Sequence, residues 1–393
     1  MTHSLPFQSL ANTYKEELLE RVIPFWEKFS PDNEYGGYFT CLLRDGSVFD
    51  TDKFIWLQAR QVWTFSMLYN RLEKRPEWLK IAQHGARFLQ KYGQDAAGNW
   101  YFSLRRDGQP LVQAYNIFSD CFATMAFGQL YQASGDPAYA QLATSTFHRI
   151  LARRHQPKGI YTKQVAGTRP LKNFALPMIL CNLALEIEHL LEPALVNQTI
   201  DECVHEVMDV FYHPEFDLVL ENVTPEGAFS DSFEGRLLNP GHAIEAMWFL
   251  MDIGIRRNQP ALIQRANQIT LRTLEYGWDK EQQGILYFLD VKGYPTQQLE
   301  WDQKLWWVHL ETLVALLKGY QHTQNPENLT WFDQVHQYTW SHFRDPEHGE
   351  WYGYLNRRGE VLLPLKGGKW KGCFHVPRGL FQCWQTLEKI SGN

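Results

Sequence analysis

One phrase recurs six times along the chain, at intervals of about 60–65 residues, and this period constrains the fold more than any single motif. In each copy a short aromatic strand, usually opened by glycine, runs into a polar turn and then an aromatic-rich apolar helix. The copies are GGYFTCLLRDG at Gly36, GNWYFSLRRDG at Gly98, GIYTKQVAG at Gly159, LVLENVTPEG at Leu218, GILYFLDVKG at Gly284 and GEWYGYLNRRG at Gly349. A unit of this size cannot bury its own apolar face, so neighbours must stack. Six stacked units point to a closed ring.

Two helical patterns lie between successive phrases. In the first unit FIWLQARQVWTFSMLYNRL is apolar on nearly every face, as a buried helix is. PEWLKIAQHGARFLQKYG is amphipathic, with Lys80, Gln83, Arg87 and Gln90 on a polar side. Pro76 suits its first turn and Gly93 its C-cap. SDCFATMAFGQLYQAS and PAYAQLATSTFHRILARR repeat the alternation in the second unit. The pattern predicts an all-α protein, an (α/α)6 barrel of six helical hairpins. Its short strands sit in the connections at one end, just before each inner helix. No linker or low-complexity stretch interrupts the repeat, so the expectation is a single domain over residues 1–393.

Composition narrows the partners. The net charge is −6 with the signs interspersed, which argues against nucleic acid. No apolar run reaches spanning length, and the N-terminus has no signal-peptide pattern, so neither membrane nor export is expected. The six cysteines are scattered, with no spacing that suggests zinc or another metal, and a reduced cytoplasmic protein is the expectation. Aromatic residues make up 15% of the chain, with 15 Trp. Most of these rings fill a large core, and a handful are left to stack on the faces of a sugar.

If the ring forms, reactive groups belong at the N-terminal ends of the inner helices. Those positions hold Gln58 and Arg60; Asp120; Phe174 and Met178; His242 and Glu245; His309 and Glu311; and His375 and Arg378. Ionisable groups are costly in a buried helix without a partner, so they are functional candidates. His242 and His375 share one topological corner two units apart, and each has a charged residue three positions on. Two imidazoles facing one another suit removal of a proton from one face of a carbon and return to the other. Arg60 is placed to stabilise an enolate oxygen. Glu245 and Glu311 are placed to orient imidazoles or hold hydroxyls.

QARQVW with Arg60, ALPMILCNLALEI with Met178, PGHAIEAMW with His242 and Glu245, LWWVHLETLVALL with Glu311 and FHVPRGL with His375 together resemble the N-acylglucosamine 2-epimerase family. The resemblance runs over nearly the whole length. It implies a homodimer that interconverts N-acetylglucosamine and N-acetylmannosamine, with ATP as an activator that is not consumed. Relatives acting on non-acylated sugars carry a third active-site histidine on the third inner helix, where this chain has Met178. A thioether cannot shuttle a proton but suits an acetamido methyl group.

These readings make His242, His375, Arg60 and Glu311 the expected catalytic residues. Glu245, Met178, Phe174, Asp120 and Arg378 are expected to bind the substrate. The chain has no Walker P-loop; a basic loop with Lys163, Arg169 and Lys172 is the expected nucleotide contact. The alternatives are an epimerase or isomerase of mannose or cellobiose, a glycoside hydrolase on the same barrel, and a non-catalytic binding protein.

Overall fold

The computed structural model describes residues 5–161, 165 and 168–392, and its helices alternate as the repeat requires. Ahead of the first phrase, α1 (Phe7–Glu16) and α2 (Ile23–Phe29) are joined by a π-helical stretch, Glu17–Val22. Five hairpins follow: α3 (Ile55–Arg71) with α4 (Pro76–Tyr92), α5 (Ile117–Ser134) with α6 (Pro137–Arg153), and α7 (Ala175–Glu186) with α8 (Pro193–His205). Then come α9 (Pro240–Arg256) with α10 (Pro260–Gly277), α11 (Trp306–Thr323) with α12 (Pro326–His342), and finally α13 (His375–Ser391).

The odd-numbered members from α3 onward form the inner ring, and each is buried nearly all round. Every residue from Leu57 to Leu68 in α3, and from Trp306 to Gly319 in α11, is buried. The outer helices bury one stripe only; in α4 it is Trp78, Ala82, Gly85, Ala86, Phe88 and Leu89. All five outer helices of the hairpins begin on proline. Its fixed φ and missing N–H cost nothing in a first turn, so the chain reverses sharply from inner to outer helix.

Strands stitch neighbouring units together. The strand before one inner helix pairs antiparallel with the opening strand of the next unit: Lys53–Phe54 with Ser103–Leu104, Lys172–Asn173 with Asn222–Val223, Leu237–Leu238 with Leu289–Asp290, and Lys304–Leu305 with Tyr354–Leu355. A bridge between Leu43 and Leu365 joins the first unit to the sixth. In every unit but the sixth the phrase opens on a left-handed residue: Gly36 has φ +82°, and where the fourth unit lacks the glycine Asp217 takes the conformation at φ +55°.

Among the described residues no helix follows α13 to serve as its outer partner. The N-terminal segment supplies one: α1 packs on α13, and Ser391 Oγ donates to Gln8 Oε1 at 3.1 Å. Trp351 Nε1 donates to Glu17 Oε1 at 2.9 Å across the same seam.

Three units carry a buried charge lock under their strands. Lys53 lies 2.8 Å from Asp32, Lys304 3.1 Å from Asp279 and Lys366 2.7 Å from Asp345. Arg106, Arg357 and Arg44 clamp the same three carboxylates. Burial alone would raise Asp32 and Asp279; the guanidinium and ammonium on each outweigh it and hold both at about 2. Among the described residues no helix is long and apolar enough to cross a membrane.

Candidate active site

Helices α9, α11 and α13 pack side by side and bring their N-terminal turns to one end of the ring. At the start of α9 the side chain of Asn239 accepts from the backbone N–H of His242 at 3.1 Å, a cap that fixes the helix entry. Gly241 lets the next helix come close: a methyl there would lie 2.6 Å from the Trp307 ring. Trp307 therefore sits against both imidazoles, with ring centroids 5.4 Å from His242 and 5.8 Å from His375.

Each imidazole rests on a carboxylate. His375, the first residue of α13, places Nδ1 2.7 Å from Glu311 Oε1. His242 places Nδ1 3.1 Å from Glu221 Oε2 and 3.2 Å from Oε1. A carboxylate only accepts, so in both rings Nδ1 carries a proton, and among the described residues no hydrogen bond engages Nε2.

The two rings are biased in opposite directions. Burial, reinforced by Arg60 and Arg378, pushes His375 well below the ordinary histidine value, which leaves it neutral with a lone pair on Nε2. Burial also disfavours charge on His242, but the adjacent Glu221 carboxylate, helped by Glu245, outweighs it and raises this imidazole. The surroundings thus favour His375 as the base and His242 as the acid.

Glu311 is fully engaged. Its Oε1 also accepts from Arg378 at 2.7 Å, and its Oε2 accepts from Trp248 Nε1 at 3.0 Å. Arg378 donates to Glu245 as well, so one guanidinium ties the two carboxylates together. Glu245, Glu311 and His375 offer donor atoms within 4.8 Å of one another, the set that could take a metal. Arg378 already supplies a cation there.

Arg60 enters from α3. Its guanidinium lies over the rings of Phe122, Trp56 and Phe374 at 4.0, 4.4 and 4.7 Å. Among the described residues it makes no ion pair, and its Nε is buried without a hydrogen bond. Burial, with the charge of Arg378, lowers it to about 9. An arginine boxed by rings rather than carboxylates keeps its charge for an incoming anion. With Arg60 and Arg378 against Glu221, Glu245 and Glu311, one further proton, on either imidazole, makes this group of charges neutral.

The other expected residues fall in different places. Phe174 caps α7 and packs on Phe211, with ring centroids 5.3 Å apart, and Met178 is buried one turn on. The structure turns Asp120 to Arg153 on α6, at 3.1 Å, and not to the imidazoles; burial, the largest influence, raises its carboxyl to about 6. Gln58 serves the backbone of Tyr38 as both donor and acceptor. His309 is held between Leu305 O at 2.8 Å and the N–H of Ile285 at 3.0 Å, so both ring nitrogens are committed to the framework. Of the basic loop, Lys163 lies outside the described residues, Arg169 is exposed, and Lys172 is paired with Glu206 at 2.7 Å. Glu221 is the residue that reading the inner-helix starts did not reach. It stands in the repeated phrase itself, LVLENV, where a charge among strand residues was its signal.

The chain resembles known proteins over most of its length. A family profile described as N-acylglucosamine 2-epimerase (GlcNAc 2-epimerase) matches residues 37–377. The N-acylglucosamine 2-epimerase of Bos taurus is 42% identical over 380 residues, covering 95% of this chain and 90% of its own. That of Mus musculus is 41% identical over 386 residues, covering 95% and 91%. Among solved structures, cellobiose 2-epimerase from Spirochaeta thermophila superposes with a TM-score of 0.83 at 21% identity, covering both chains in full (100% each). That last likeness speaks for the fold alone, an (α/α) barrel.

Proposed function

The chain belongs to the N-acylglucosamine 2-epimerase family, and from that premise we propose that it interconverts N-acetyl-D-glucosamine and N-acetyl-D-mannosamine by inverting C2. The observation that carries this reading is the pair of carboxylate-held imidazoles flanking Trp307, one favoured in its charged form and the other in its neutral form.

The C2 proton is removable only when C1 is an open-chain aldehyde. In one direction His375 Nε2 takes that proton, and the electron pair of the C–H bond becomes the enolate. Arg60 stabilises the enolate oxygen, the charge that develops in this step. His242 Nε2–H then delivers a proton to the opposite face, and the product carries the inverted centre. The proton now resides on His375 and His242 is neutral, the state from which the reverse reaction starts. Trp307, against both rings, offers the flat surface on which the sugar chain reorients between the two transfers.

Met178 supports an acylated substrate over mannose or cellobiose, because a buried thioether packs well against an acetamido methyl group. Two further parts of the reading rest on family membership: assembly as a homodimer, and ATP as an activator that is not consumed. For the nucleotide the described residues give little support, since Lys172 is already paired with Glu206.

Proton NMR of N-acetylmannosamine with the protein in D2O tests the reading. N-acetylglucosamine should accumulate with deuterium at C2. Turnover that leaves protium at C2 would overturn the proton-transfer scheme, and turnover of mannose or cellobiose in preference would overturn the substrate.

A further inference from the structure

We propose that Glu221 is a positioning residue of this reaction: it accepts the hydrogen bond of His242 Nδ1–H, turns Nε2 toward the sugar, and keeps the resident proton on His242 rather than on His375. The proposal rests on the epimerase reading above and adds to it the origin of the difference between the two imidazoles.

The two carboxylates that hold the rings are not equivalent. Glu311 accepts from Arg378, which Glu245 shares, so a fixed cation faces it whether or not His375 is protonated. Among the described residues no lysine or arginine pairs with Glu221; its ion-pair partner is His242. Its side chain is only 10% exposed. If His242 gave up its proton with no exchange, Glu221 would be left as a largely buried and uncompensated charge, which is strongly unfavourable. The site therefore returns the proton to His242 after each inversion.

The carboxylate is also held still. Glu221 lies between the strands Leu218–Val219 and Asn222–Val223. Its N–H donates to Leu237 O at 3.2 Å, and its carbonyl accepts from Phe174 N at 3.0 Å. Asn173 Nδ2 reaches both its carbonyl, at 3.3 Å, and its Oε1, at 3.4 Å. The same asparagine accepts from Ala175 N at 3.1 Å and so caps α7. The third inner helix thus acts on the chemistry through Glu221. The charged and titratable groups around His242 are Glu221, Glu245 one turn along α9, and His375 on the other side of Trp307. Tyr287 stands beside Glu221 and is raised, mainly by burial and then by that carboxylate, so it remains neutral.

The test compares wild type, E221Q and E221D with both N-acetylhexosamines across pH. In the direction in which His375 takes the C2 proton, turnover needs His242 protonated and His375 neutral, so activity in that direction falls as pH rises through the elevated value of His242. Removing the carboxylate lowers that value, and the alkaline limb of E221Q should move to lower pH. Its kcat should fall on the order of 10²-fold, with KM changed far less. E221D keeps the charge and should hold the limb above that of E221Q. Proton NMR titration of the His242 ring, which needs no turnover, should show the same downward shift in E221Q. A limb and ring titration that stay in place would overturn the proposal, even if kcat falls, because that is a merely structural loss. An inactive wild type whose His242 still titrates lower in E221Q would instead overturn the epimerase reading and leave Glu221's role standing.

Discussion

At the scale of single residues the site is a division of labour between two like groups. His242 and His375 are each anchored at Nδ1, and in the proposed mechanism each serves one face of C2. Replacing one should leave the other able to act alone. In D2O, H375N should exchange the C2 hydrogen of one epimer and H242N that of the other, with inversion reduced about 10²–10⁴-fold in both. If both variants exchanged the same epimer, the two-face assignment would fail. His242, His375, Arg60 and Glu311 were legible in the sequence because an ionisable group in an all-apolar helix needs a reason to be there. Glu221 was not, since its partner lies 21 residues away and the contact exists only after the strands of two units pair. His309 stood at an equally suggestive position and is structural; its two backbone partners are invisible to a reading of helix starts.

At the scale of elements, the repeat was legible down to the proline at the head of the second helix, because the period of apolar residues states which face is wet. The charge locks were not. Lys53 and Lys304, on strands, and Lys366, next to the bridge at Leu365, look like ordinary surface lysines until the fold lays each over an aspartate just ahead of its phrase. The locks make a prediction about acid stability. Asp279 is held at about 2, below the unfolded value of about 3.9, so it contributes stability that is present above pH ~4. That contribution is lost as pH falls from about 4 toward about 2. Urea unfolding of D279N should therefore show lower stability than wild type at pH 6, by about 3–5 kcal/mol for a broken buried pair. The gap should narrow as pH is lowered; parallel curves would show that the lock contributes nothing through its charge. K304M, which leaves Asp279 with Arg357 alone, should reproduce the loss at pH 6.

At the scale of the whole molecule the ring is closed by segments from opposite ends of the chain. Six phrases are visible in the sequence but only five outer helices follow them. The sixth is the N-terminal amphipathic stretch, which precedes its inner partner by most of the chain length, and local periodicity carries no information about that pairing. Closure of this kind implies that chain order matters less than the circle of contacts, since each unit is stabilised chiefly by its two neighbours. The seam offers a direct trial, because Gln8 and Ser391 are already in hydrogen-bond contact at 3.1 Å. A circular permutant can join the two ends through a flexible linker of about five residues and open the chain between Lys74 and Arg75. That opening lies in the exposed turn between α3 and α4, at the end of the ring away from the imidazoles. It breaks no strand pair and leaves Trp26 with Glu350, and Trp351 with Glu17, inside one continuous segment. The permutant should unfold in a single cooperative transition and epimerise with kcat within about threefold of the parent. An insoluble or inactive permutant would mean that the seam must be made late, after the five hairpins have folded in their native order. The ring would then be a product of chain order as well as of contacts.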